Sequence, residues 1–160
     1  MHESAYNRDA VVAYARKWAM NRNPQYYDFE KIGGDCTNFA SQCIFAGAGK
    51  MNFTKVTGWY YRSVHDRTAS WSGVDFLYKF LANNRSVGPY GHLVSQGEVQ
   101  PGDIVQLGRF TGEFYHTPVI TAVTPVILVA AHSFDTVDKP LAAYSYEVVR
   151  FIHIDGVKYW

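Results

Sequence analysis

Apolar residues recur at helical spacing in the first half of the chain and at strand spacing in the second. Val11, Val12, Ala15, Trp18 and Ala19 share one helical face, which predicts a helix over residues 8–22. Asn7 is placed to cap it and Asp9 sits in its first turn. Asn23-Pro24 ends it, because the residue before proline avoids the helical region. A loop over 24–34 then closes on Gly33-Gly34. Phe39, Ala40, Cys43 and Ile44 form a second stripe, predicting a helix over 36–46 stopped by Gly47 and Gly49. Residues 50–70 carry no period and hold Trp59-Tyr60-Tyr61. A third helix is expected over 73–83, capped by Ser72, with Phe76, Leu77 and Phe80 on its buried face.

From residue 98 the period becomes that of strands. Pro101-Gly102 is a turn into a strand at 103–107. Further strands are expected at 113–123, 126–132 and 144–154, with a turn at Thr124-Pro125. The third is a nearly unbroken apolar run, as in a central strand. Helices first and an antiparallel meander second predict an α+β fold rather than alternating βαβ units.

The chain has 160 residues, enough for one domain spanning 1–160. Hydrophobic residues are 48% and charged residues 18%, which excludes a disordered chain. Fifteen Lys and Arg against 14 Asp and Glu give a net charge of +1, which argues against a nucleic-acid partner. No apolar run reaches the roughly 18 residues of a membrane helix, so no membrane partner is expected. No basic segment followed by an apolar one opens the chain. The expected location is therefore extracellular or cell wall if a signal peptide was removed, and cytoplasmic otherwise. Aromatic residues are 16%, a density that fills cores and lines clefts.

Cys36 and Cys43 are seven residues apart on the second predicted helix, a rise of about 10.5 Å, too far for a disulfide. Cys43 lies in the apolar stripe and reads as core. Cys36 opens the helix after Gly33-Gly34-Asp35. Unpaired backbone N–H groups and the helix dipole favour the thiolate there, so a depressed pKa is expected. Position alone leaves nucleophile and first core residue evenly balanced.

A cysteine nucleophile needs a base, and the base an orienting group. His2 is near the terminus, His65 and His92 lie in polar segments, and His153 is in the last strand. His116 and His132 stand on consecutive predicted strands. A hairpin centred near Thr124-Pro125 sets them opposite each other, about 5 Å apart. Zinc is the competing chemistry, with Cys36, His116, His132 and Asp135 as ligands. No CxxC or HExxH spacing supports it, so no metal and no cofactor is expected. The absence of GxSxG argues against a serine hydrolase.

The stretch Gly33-Gly34-Asp35-Cys36-Thr37-Asn38-Phe39-Ala40-Ser41-Gln42 resembles the signature of the bacterial putative amidase domain family. Asn23-Pro24-Gln25-Tyr26-Tyr27, Trp59-Tyr60-Tyr61, Pro101-Gly102-Asp103-Ile104-Val105, Tyr115-His116 and Ala131-His132-Ser133 also resemble its pattern. That family is grouped with papain-like cysteine hydrolases, near the CHAP and NlpC cell-wall amidases and endopeptidases. The resemblance implies a papain-like fold, with N-terminal helices packed on an antiparallel β-sheet. It also implies a nucleophilic cysteine at a helix start, Cys36, a base on a strand, His116, and a third polar residue, His132, with Asp135 as the alternative.

The expected function is a cysteine-dependent amide hydrolase acting on a peptide or peptidoglycan-like substrate as a monomer. The Cys36 N–H would donate to the oxyanion, with Tyr26 or Tyr27 as a second donor and Asp35 as a further contact. Asn38 and Gln42 read as structural. An acyltransferase with the same Cys–His pair is one alternative. A non-catalytic glycan or peptide-binding module, using aromatics around Trp59 and Trp71, is the other.

Overall fold

The computed structural model describes residues 1–160. A short strand β1 (His2–Ser4) leads into helix α1 (Arg8–Trp18), which Asn7 caps by accepting the Ala10 N–H at 3.1 Å. The helix ends earlier than its apolar stripe suggests, and Ala19 closes it by bonding to Ala15 O. Helix α2 (Cys36–Ala48) starts at the expected cysteine and stops at Gly49, whose φ of 67° is left-handed. Gly47 is not a stop. It lies where α1 crosses α2, and a Cβ there would come within 2.3 Å of Val11 Cγ2 and 2.7 Å of the Asn7 carbonyl. The aperiodic segment holds a small hairpin, β2 (Tyr61–Ser63) and β3 (Asp66–Arg67). A single helical turn, α3 (Ala69–Ser72), precedes α4 (Val74–Asn83), and Gly73, not Ser72, stands at the N-cap of α4. The buried face of α4 is Leu77, Phe80 and Leu81, while Phe76 is 57% exposed.

The remaining elements are strands β4 (Gly88–Val94), β5 (Ile104–Gly108), β6 (Phe114–His116), β7 (Val119–Ala122), β8 (Leu128–Ala131), β9 (Thr136–Pro140) and β10 (Val148–Tyr159). They form one antiparallel sheet with β1, in the order β1-β10-β5-β7-β8-β9. Strand β4 also pairs with β10, and β6 with β5. The fold is α+β, and the sheet does not close into a barrel. The expected strand at 113–123 is two strands, broken at Thr117-Pro118, because proline has no N–H for the ladder. β1, β4 and β9 carry no sequence signal of their own. β4 opens on Gly88-Pro89, which reads as turn chemistry.

Alternate strand residues bury on opposite faces of the sheet. Ile104, Val119, Ala130, Ile152 and Ile154 pack under the helices with Phe39, Ile44, Trp59 and Trp71. Val105, Leu107, Ile120, Val129 and Phe151 form a second, smaller core with Val99 and Leu141. Trp59 and Trp71 are fully buried, so they are core residues and not a surface platform. Asp103, also fully buried, ties the two halves together. It receives Arg8 Nη1 at 2.7 Å, the Ile154 N–H at 2.9 Å, the Gln100 N–H at 2.8 Å and His153 Nδ1 at 2.8 Å. No helix is long and apolar enough to cross a membrane.

Candidate active site

Two glycines with left-handed φ, Gly33 at 98° and Gly34 at 96°, bend the loop into α2 and set Cys36 as its first residue. The first N–H groups of a helix have no partners within it, so they are directed at whatever lies before Cys36. The thiol is 7% exposed. Its Sγ lies 3.7 Å from Thr37 Oγ1 and 4.0 Å from the Tyr115 carbonyl. Cys43 is fully buried in the main core, and both cysteines are free.

Burial pushes the Cys36 thiol up, against weaker opposite pulls from the Thr37 hydroxyl and the Thr117 and Thr37 backbone. The expected depression is therefore not present. The helix start favours a thiolate, but at this depth desolvation outweighs it.

Cys36 and His116 line the same cavity of about 450 Å³. His116 stands on β6 opposite Leu107, is 8% exposed, and its ring is 5.8 Å from that of Tyr144. Burial, then the neighbouring Lys139 cation, brings its pKa from 6.5 down to about 4. Near neutral pH the walls of the cavity carry a protonated thiol and a neutral imidazole.

His132 is placed elsewhere. Val119 pairs with Ala130 and Ile120 with Val129, one residue out of the register that would oppose His116 and His132. A one-residue slip sends a side chain to the other face. His132 therefore enters the helical layer, stacked 4.0 Å from Phe39. Its Nδ1 lies 2.5 Å from Asp35 Oδ2 and its Nε2 2.8 Å from the Trp18 carbonyl. Both ring nitrogens thus meet oxygen atoms of the protein, which fixes the ring in place. Asp35 Oδ1 in turn receives the Phe29 N–H and Asn38 Nδ2, both at 2.8 Å. The pair thus locks the loop that carries Cys36, and His132 makes no contact with His116. Asp135 is held by Arg22 at 2.7 and 3.1 Å and does not line the cavity. No side chain in the structure hydrogen-bonds the His116 ring.

The other expected contacts also resolve. Tyr26 stacks on Trp71, and Tyr27 passes its carbonyl to Asn38, so neither reaches the thiol. Asn38 bridges Asp35 and the Trp71 indole, and Gln42 accepts the Tyr14 hydroxyl at 2.6 Å. Both are structural, as read. The sequence reading missed Phe134, Lys139 and Tyr144, which line the cavity opposite the thiol. A lone lysine or phenylalanine between two predicted strands gives no signal, and the β8–β9 pairing brings this segment back toward the cavity. A larger groove, about 610 Å³, lies near α4 but contains no cysteine, histidine or carboxylate.

Fold and cavity together define an α+β protein in which a cysteine at a helix start and a histidine on the sheet line one cavity. The chain belongs to the putative amidase domain family, whose model matches residues 5–154. It is 29% identical over 145 residues to the uncharacterized protein YhbB of Bacillus subtilis (strain 168), covering 89% of this chain and 45% of YhbB. The chain thus spans less than half of that relative's length. No solved structure matches significantly.

Proposed function

We propose that residues 1–160 act as one papain-like catalytic domain that hydrolyses an amide bond with a Cys36–His116 dyad. The observation that carries this reading is the shared cavity: a thiol at a helix N-terminus and a neutral imidazole on its walls. His116 takes the Cys36 proton as Sγ attacks the carbonyl carbon. The oxyanion forms against the N–H groups of the helix start. As the C–N bond breaks, His116 returns the proton to the departing amine. A water, deprotonated by His116, then releases the acid from the thioester and restores the thiol.

The family description supports an amide as the bond. The GGDCTNFASQ stretch resembles the putative amidase signature, and the grouping of that family near the CHAP and NlpC cell-wall enzymes supports the peptide part of peptidoglycan as the substrate. Digestion of purified peptidoglycan tests this. New free amines without new reducing ends are expected, and the Cys36→Ala variant should release none. New reducing ends, or release unaffected by Cys36→Ala, would overturn it.

A further inference from the structure

Lys139 is the one permanently charged side chain on the cavity wall. Its Nζ rests 4.1 Å from the Tyr144 ring, and Tyr144 is itself the aromatic neighbour of His116. The nearby carboxylates are otherwise engaged. Asp135 and Glu30 pair with Arg22, Asp138 with Arg16 and Thr121, and Glu147 accepts the Phe110 N–H. No carboxylate lies within ion-pair distance of Lys139 and no protein group hydrogen-bonds its ammonium, which lines the cavity against the Tyr144 ring. Such a cation, lining the same cavity as the thiol and resting on an aromatic face, is placed to receive an anion that arrives with the substrate.

We propose that Lys139 reads a carboxylate on the substrate, so that this cavity selects amides bearing an anionic carboxylate near the scissile bond. The proposal rests on the amide-hydrolase reading for its reaction and on the Lys139 geometry for its selectivity. A lone ammonium suits a single carboxylate, since it lacks the planar fork of arginine that grips an anion twice. The same contact acts on the base. Around His116 the charged or titratable groups are Lys139 on β9, Cys36 on α2, Tyr115 on β6 and Tyr144 beyond β9. Of these, Lys139 is the cation, and it adds to burial, the larger cause, in holding His116 down. A bound carboxylate offsets that charge, so His116 becomes a stronger base once the right substrate is in place.

A pair of alkylating agents matched in size but not in charge tests this. Iodoacetate and iodoacetamide differ in one carboxylate, and Cys36 modification is followed by peptide mass. The iodoacetate-to-iodoacetamide rate ratio at Cys36 should exceed that of a small free thiol by about fivefold at low salt, as a part-exposed ion pair implies. It should fall toward the free-thiol value at high salt, a readout that needs no variant. Lys139→Met should remove the excess, Lys139→Arg should keep most of it, and Lys139→Glu should reverse it. A ratio at or below the free-thiol value, no response to Lys139→Met, or no reaction of Cys36 with either agent would overturn the proposal. The two readings fail separately. A charge preference without turnover of any amide keeps Lys139 and rejects the hydrolase. Equal kcat/KM on neutral and carboxylated amides keeps the hydrolase and rejects Lys139.

Discussion

At Cys36 two effects of one position oppose each other. The helix start offers N–H groups to a thiolate, while burial holds the proton on sulfur. A resting thiol beside an unprotonated His116 makes the base, not a preformed ion pair, the pH-sensing group. The acid limb of kcat/KM is therefore expected near pH 4, where the free His116 takes up its proton, and not near 6.5. A limb between 6 and 7 would show that the imidazole is not held in this environment. Stability follows the same group. Between pH 6.5 and 4 the unfolded chain binds a proton at His116 that the folded chain refuses, so stability rises with pH across that window and is lost as pH falls. The fall from 6.5 to about 4 corresponds to about 3 kcal/mol at full protonation of the unfolded state. Denaturant midpoints of the parent and His116→Gln, measured across this range, should converge at the acid end.

The two cysteines separate packing from chemistry. Cys36→Ala should abolish turnover with the denaturation midpoint nearly unchanged. Cys43→Ala should lose about 1 kcal/mol or more through the emptied core position and keep its activity. His132 belongs with the structural group. Removing its ring leaves the Asp35 carboxylate buried without its strongest partner, so His132→Ala should lose about 3–5 kcal/mol. If His132→Ala keeps its stability while losing activity, the ring acts in catalysis after all. The shared cavity of Cys36 and His116 was legible in part, because a thiol at a helix start and a histidine on a strand each carry local signals. The partner of His132 was not, since it depended on a β7–β8 register one residue away from the nominal hairpin pairing.

At the scale of elements, the helices were legible because each buries one stripe, and their ends less so because tertiary contacts set them. Gly47 shows this. Its composition says stop, while the crossing of α1 over α2 makes it a point of contact. Gly47→Ala should destabilise by about 2–3 kcal/mol, since Val11 and the Asn7 backbone leave no room for a methyl group, and thermal denaturation measures it. The turn between β8 and β9 is a second case. Ser133 and Phe134 both have left-handed φ, 63° and 62°, although neither is glycine. That turn holds Phe134 99% exposed on the cavity rim, at a conformational cost that sequence reading assigns to no residue there.

Across the whole molecule, the α+β class was readable because the period changes once, from helix to strand. The strand order was not, because β10 draws its partners from three distant parts of the chain. Asp103 depends on that strand as well, taking the Ile154 N–H and His153 from it and Arg8 from α1. Asp103→Ala should lose about 3–5 kcal/mol, read by denaturant titration, because Arg8 and His153 are left without their shared carboxylate.

The position of β10 also imposes an order in time. During synthesis, α1, α2 and every residue lining the cavity emerge before Val148. Yet β5, which carries β6 and His116 on one side, has an open edge until β10 arrives, and so does β4. The proposed nucleophile and base have thus both emerged in the nascent chain while the sheet that fixes their spacing is incomplete. Activity should switch on late and abruptly, with the last dozen residues of this segment. A nascent chain stalled at residue 147 should expose Ile104, Leu107 and Val105 to chaperones and remain catalytically silent.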